Sequence, residues 1–135
     1  MILIDSSVWI DKLAGRRTVQ TELLEIFIQA EQDVGVGDLM LVEVLQGTRD
    51  ARAYRYAEAL LAEFDMVQIS NHRVAVEAAR HYRHLRGLGI TIRKTIDTLI
   101  ATRCILDRLP LLYSDRDFDP FVQHLGLRSA LTLPE

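Results

Sequence analysis

Residues 1–12 read MILIDSSVWIDK: four apolar residues, an aspartate, two serines, then apolar positions at helical spacing. A short apolar run of this kind reads as a buried strand, and Asp-Ser-Ser reads as a helix start, so the chain opens on a strand that turns at once into a helix near Ser6. The alternation continues. Further strands are expected at VGV 34–36, MVQI 66–69 and LPLLY 109–113, with a weaker one at 127–133. Between them, helical spacing covers 21–32, 38–47 from an Asp38 cap to Gly47, 57–64, 71–89 from an Asn71 cap to Gly87 and Gly89, and 95–108 ahead of Pro110. Strands alternating with helices of this length imply crossover units, hence an α/β fold with a short, mostly parallel sheet and helices on both faces. In such sheets ligands bind beyond the carboxyl ends of the strands.

At 135 residues and 49% hydrophobic, the chain suits one domain over 1–135 with a core that needs no staples. The single cysteine, Cys104, sits in ATRCIL and reads as a packed thiol of a reduced, cytoplasmic protein. No basic leader precedes MILI and no apolar stretch approaches the roughly eighteen residues of a membrane helix, so neither export nor a membrane span is expected. A net charge of −3 gives no global basic footprint, so any nucleic-acid contact must rest on local patches of the 16 Lys and Arg residues.

Four carboxylates look locally out of place. Asp5 follows MILI and Asp115 follows LPLLYS, so each is expected at the carboxyl end of a central strand. On a helical wheel of 96–107, Asp97 falls among Ile100, Ala101, Cys104 and Ile105, with Thr98 and Thr102 opposite. Glu43 is the one charge in LMLVEVL at 39–45. Convergence of these four segments would account for every one of them, but two carboxylates about 4 Å apart repel by roughly 4 kcal/mol at an effective dielectric of about 20. A cation is then required. With no His or Cys at ligand spacing, an all-oxygen site favours Mg²⁺ or Mn²⁺, whose natural chemistry is phosphodiester hydrolysis.

Asp5 in LIDSSVWI, Glu43 in EVLQG, Asp97 in TIDTLIA and the SDRDFDPF run at 114–121 together resemble the four acidic motifs of the PIN-domain ribonucleases, in the order and spacing of the small VapC-type toxins of bacterial toxin–antitoxin modules. The resemblance spans nearly the whole chain. It implies a three-layer α/β/α sandwich and an endoribonuclease dependent on Mg²⁺ or Mn²⁺. It also implies inhibition by a small VapB-like antitoxin and a homodimer. Carried onto matching positions, the catalytic and metal-binding acids are Asp5, Glu43, Asp97 and Asp115, with Asp117 as an outer or fifth acid and Ser7 in place to orient a water at the ion. Asp38 departs from the Ser or Thr that more often caps the glutamate helix.

Each residue also has a plainer reading. Asp5 suits a helix cap, Glu43 a solvent-facing helix edge, and Asp97 a first-turn acid favoured by the helix dipole. Asp119 reads as solvent-facing, and Phe118 and Phe121 as anchors in the core. Arg93, Lys94 and Arg116 lie near the acids in sequence and suit RNA phosphate; Arg80, Arg83 and Arg86, with His81 and His84, equally suit a solvated helix face. Tyr54 and Tyr56, among Arg49, Arg52 and Arg55, suit either an interface or core packing. Two other functions compete. A phosphoacceptor domain would need an aspartate after its middle strand, where MVQI is instead followed by SNH. A catalytically silent PIN-fold interaction module would have no reason to keep all four acids.

Overall fold

Strand β1 (Ile2–Ile4) is buried along its whole length, as a central parallel strand must be when helices cover both faces. In the computed structural model, which describes residues 1–132, β1 pairs in parallel with β2 (Val34–Gly37) on one side and β4 (Leu111–Leu112) on the other. Strand β3 (Asp65–Val67) pairs in parallel with β2, giving the order β3-β2-β1-β4. The helices are α1 (Ser6–Leu13), α2 (Val19–Gln29), α3 (Asp38–Gln46), α4 (Ala51–Leu61), α5 (His72–Gly87), α6 (Thr95–Leu106) and α7 (Asp119–Leu125). No helix among the described residues is long and apolar enough to cross a membrane.

The pleat of the sheet separates two cores. Successive strand side chains point to opposite faces, so Leu3 joins Leu85, Ile100, Cys104, Phe118 and Phe121, while Ile2 and Ile4 join Val8, Trp9, Leu24 and Leu61. Helices α5, α6 and α7 therefore cover one face and α1, α2 and α4 the other, which makes the expected three layers. Phe118 and Phe121 are fully buried, as is the Cys104 thiol, whose burial pushes its pKa up to about 12.

Caps explain where several helices start. Asn71 accepts from the Val74 N–H at 2.9 Å, as expected, and α5 ends at Gly87. Helix α4 begins at Ala51, ahead of the expected 57, because Asp50 accepts from the Ala53 N–H at 2.8 Å. Asp38 is not the cap of α3. Gly37 holds that place, and Asp38 accepts instead from the N–H groups of Leu39 and Ile69, both at 2.9 Å, pinning the end of β3 to the start of α3. A methyl group at Gly37 would run into the buried side chains of Met40 and Ile69, so glycine leaves room for both against the end of the strand.

Three other expectations change. Strand β4 is at the edge of the four-stranded sheet rather than in its centre. The segment 127–133 is not a strand: Ser129 makes one parallel bridge to Leu111, and Ala130–Thr132 is a short 3-10 turn, with residue 133 outside the described residues. Thr98 and Thr102 are buried like the face opposite them, because α5 packs over them; His81 Nδ1 lies 2.9 Å from Thr102 Oγ1.

Candidate metal centre

After β3 the chain crosses to the far side of β1 to form β4, so the strand order reverses between β1 and β4. A crevice at the carboxyl ends of such strands is where open parallel sheets bind ligands. Asp5 follows β1 and Asp115 follows β4 at this point. The two strand ends are stitched together: the Asp5 N–H donates to the Leu112 carbonyl at 2.8 Å, and the Ser114 N–H to Ser7 Oγ at 3.2 Å.

Asp5 does two things with its two oxygens. Oδ2 accepts from the Ser7 N–H at 3.2 Å and the Ser7 hydroxyl at 2.6 Å, which caps α1. Oδ1 is buried with no partner. Burial pushes this carboxyl above its ordinary value, against the pull of the Ser7 and Ser6 hydrogen bonds, and the nearby Asp115 adds to the rise. The Ser7 hydroxyl thus donates to Asp5 and accepts from the Ser114 N–H.

Asp97 stands in the first turn of α6, where the helix dipole favours a negative charge. It is nonetheless 3% exposed, and its Oδ2 has no partner. Its carboxyl is pushed up to about 7, first by burial and then by the negative charge of Asp5, with Asp115 and Glu43 adding to the rise and Lys94 opposing it. Glu43, half-buried on α3, accepts from the Ser6 hydroxyl at 3.1 Å. Its carboxyl is also raised, by burial and then by Asp5, while Ser6 and Lys94 oppose the shift.

The fourth segment approaches from the other side. Asp97, Asp115 and Asp117 each bring a carboxylate oxygen within 4.8 Å of the others. Asp115 Oδ1 accepts from the Asp117 N–H at 2.9 Å, and Oδ2 lies 3.7 Å from Lys94 Nζ. Arg93 donates to both oxygens of Asp117 at 3.2 Å. Arg93, Lys94 and Arg116 are all exposed around this segment. Asp119 is apart from the cluster and is not simply solvated: it is half-buried and accepts from the Tyr113 hydroxyl at 2.8 Å, and burial first, then this bond, raise that phenol's pKa. On α5, Arg80 pairs with Glu77 and Arg86 lies over the Tyr82 ring at 5.8 Å.

Asp5, Glu43, Asp97 and Asp115 therefore share one field, since Asp97 is raised by all three of the others. The donors are all oxygen, and Asp5 Oδ1 and Asp97 Oδ2 are buried without partners, an arrangement that fits a hard divalent cation. Ser6 is a site residue that periodicity alone does not single out. Its signal was present in the doubled serine of LIDSS, because neighbouring helical residues point in different directions and two hydroxyls can serve two acids.

The family model of the PIN domain matches residues 2–121. VapC ribonuclease Mb1587 of Mycobacterium bovis and ribonuclease VapC11 of Mycobacterium tuberculosis are each 25% identical to this chain over 131 residues, covering 96% of it and 98% of the relative. Among solved structures, VapBC2 from Rickettsia felis bound to a promoter DNA fragment shares the fold with a TM-score of 0.76 at 15% identity, over 96% of this chain and 97% of that one. FitAcB from Neisseria gonorrhoeae does so with a TM-score of 0.73 at 18% identity, over 98% and 100% of the two chains. With the family match covering nearly its whole length, from β1 into α7, this chain belongs to the PIN-domain family.

Proposed function

We propose that this protein is an endoribonuclease toxin that works with Mg²⁺ or Mn²⁺ and is neutralised by a cognate antitoxin. The observation that carries the reading is the convergence of acids from separate segments: carboxylate oxygens of Asp97, Asp115 and Asp117 lie within 4.8 Å of one another, and burial and then the charges of Asp5, Asp115 and Glu43 raise the Asp97 carboxyl. The relatives named as VapC ribonucleases, and fold neighbours solved as VapBC complexes, support the same activity and the same kind of partner.

Asp5, Glu43, Asp97 and Asp115 are the residues that would hold the ion, with Asp117 at its outer side. A divalent cation in such a site makes water a usable nucleophile near neutral pH and offsets charge developing on a phosphate. Ser7 keeps the Asp5 carboxylate in place and ties it to the end of β4. Arg93, Lys94 and Arg116, exposed at the mouth, meet the RNA backbone, which supplies affinity without reading sequence. The antitoxin has a groove of about 640 Å³ available between α1, α3 and α4, lined by Ile10, Leu13, Val44 and Tyr56 among others. Tyr56 is 65% exposed, so it is not packed in the core and is open to a partner.

The test uses the purified chain, freed of any co-purifying partner, on structured and unstructured RNA. Cleavage is expected with Mg²⁺ or Mn²⁺, lost in EDTA and restored when metal is returned. Cleavage that persists in EDTA would overturn the metal role, and a folded protein inert with every metal and RNA would turn out to be a silent interaction module.

A further inference from the structure

We infer that Ser6 is a positioning residue for Glu43, setting the orientation in which that carboxylate meets the ion. The inference rests on the divalent-cation reading of the site.

Ser6 is the first residue of α1, and the helix needs nothing from its hydroxyl, because Asp5 already caps it. The residue is 7% exposed, and a hydroxyl buried to that extent requires a partner. It donates to Glu43 Oε1 at 3.1 Å, a bond between residues 37 positions apart. Among the described residues this is the only hydrogen bond that the Glu43 side chain makes, and Oε2 is left without one. Glutamate has three side-chain torsions, so a carboxylate delivered from α3 without a guide would lose considerable rotamer freedom on ligating an ion. The hydroxyl removes much of that freedom in advance. It does so from the residue next to Asp5, so one contact ties an acid of α3 to the acid that follows β1.

The two serines of LIDSS thus divide the work. Ser7 holds Asp5 and Ser6 holds Glu43, with one oxygen of each carboxylate fixed and the other left unpartnered. Groups that orient metal ligands in this way typically contribute about 10–100-fold to metal affinity or activity.

The measurement is Mn²⁺ binding in the absence of RNA, by calorimetry or by the spin-resonance signal of the free ion, with melting in EDTA as the check on folding. Ser6→Ala is expected to weaken Mn²⁺ by about 10–100-fold while melting close to the parent in EDTA. Ser6→Thr, which keeps the hydroxyl, is expected to bind like the parent. In a Glu43→Ala background, Ser6→Ala should cause no further loss, since a residue acting only through Glu43 has nothing left to orient. Three results would each overturn the inference: unchanged Mn²⁺ affinity in Ser6→Ala, an equal loss in the Glu43→Ala background, or a folded Ser6→Thr as weak as Ser6→Ala. A parent chain that binds no Mn²⁺ and cleaves no RNA would remove the proposed function as well, whereas a parent that does both beside an unaffected Ser6→Ala removes the role of Ser6 alone.

Discussion

Helix α6 has an aspartate at each end, and the two are stabilised in opposite ways. Asp107, the C-cap residue, is exposed; Arg73 donates to both its oxygens at 3.1 Å and Arg103 pairs with it from one turn back. Asp97, in the first turn, is buried with one oxygen unpartnered and its carboxyl pushed up to about 7. Local electrostatics alone would rank them the other way, because the helix dipole favours a carboxylate at the N-terminus and opposes one at the C-terminus. Tertiary context reverses the ranking. Asp107 is neutralised by arginines of its own chain, whereas Asp97 is crowded by Asp5, Asp115 and Glu43, and Lys94 offsets them only in part. A charge whose partner is in the chain supports the fold; a group of charges without sufficient partners points to a ligand.

Activity should separate the two aspartates most widely. Asp97→Asn is expected to lower RNA cleavage on the order of 10³-fold, while Asp107→Asn leaves it unchanged, as measured on folded variants side by side. Equal losses would show that α6 acts only as a scaffold.

The response of stability to pH comes next in size. Asp5, Glu43 and Asp97 all have carboxyls raised above their ordinary values of 3.8, 4.5 and 3.8, so the folded protein holds protons that the unfolded chain has released. The stability they contribute is complete below those ordinary values and is lost as pH rises through the folded values, up to about 7 for Asp97. In EDTA the melting temperature should therefore fall by several degrees between pH 5 and pH 8. Mn²⁺ should narrow that fall by neutralising the ionised acids, and Asp97→Asn should flatten it. A melting temperature that rises across this range would contradict the shared field at the crevice.

The smallest effect belongs to Asp107. Its ion pairs are largely exposed, so Asp107→Asn should cost at most about 1 kcal/mol in urea unfolding, with some of the loss offset by removing a negative charge from a helix C-terminus. A loss above about 3 kcal/mol would mean that the pair behaves as a buried one.

One side of this contrast, Asp97 with Asp5 beside it, was legible in the sequence; Asp107 was not. Asp97 was readable because a charge among Ile100, Ala101 and Cys104 conflicts with the periodicity around it, and Asp5 because it ends an apolar strand. Asp38 and Asp119 were misread for the opposite reason. Each lies in an ordinary turn sequence, and its partner, the Ile69 N–H or the Tyr113 hydroxyl, is contributed by another part of the fold. Strand β4 was misplaced because burial in a run such as LPLLY does not distinguish an edge strand covered by Ser129 from a central one.

By itself the sequence determined the alternation of strands and helices, the two-sided burial of the sheet and which acids were out of place, since these depend on local periodicity and on the cost of burying charge. Tertiary structure alone decided the strand order that brings Asp5 beside Asp115, the division of Ser6 and Ser7 between two acids, and the difference between Asp97 and Asp107. Those depend on which distant segments come within a few ångströms of one another, and spacing along one chain carries no measure of that distance.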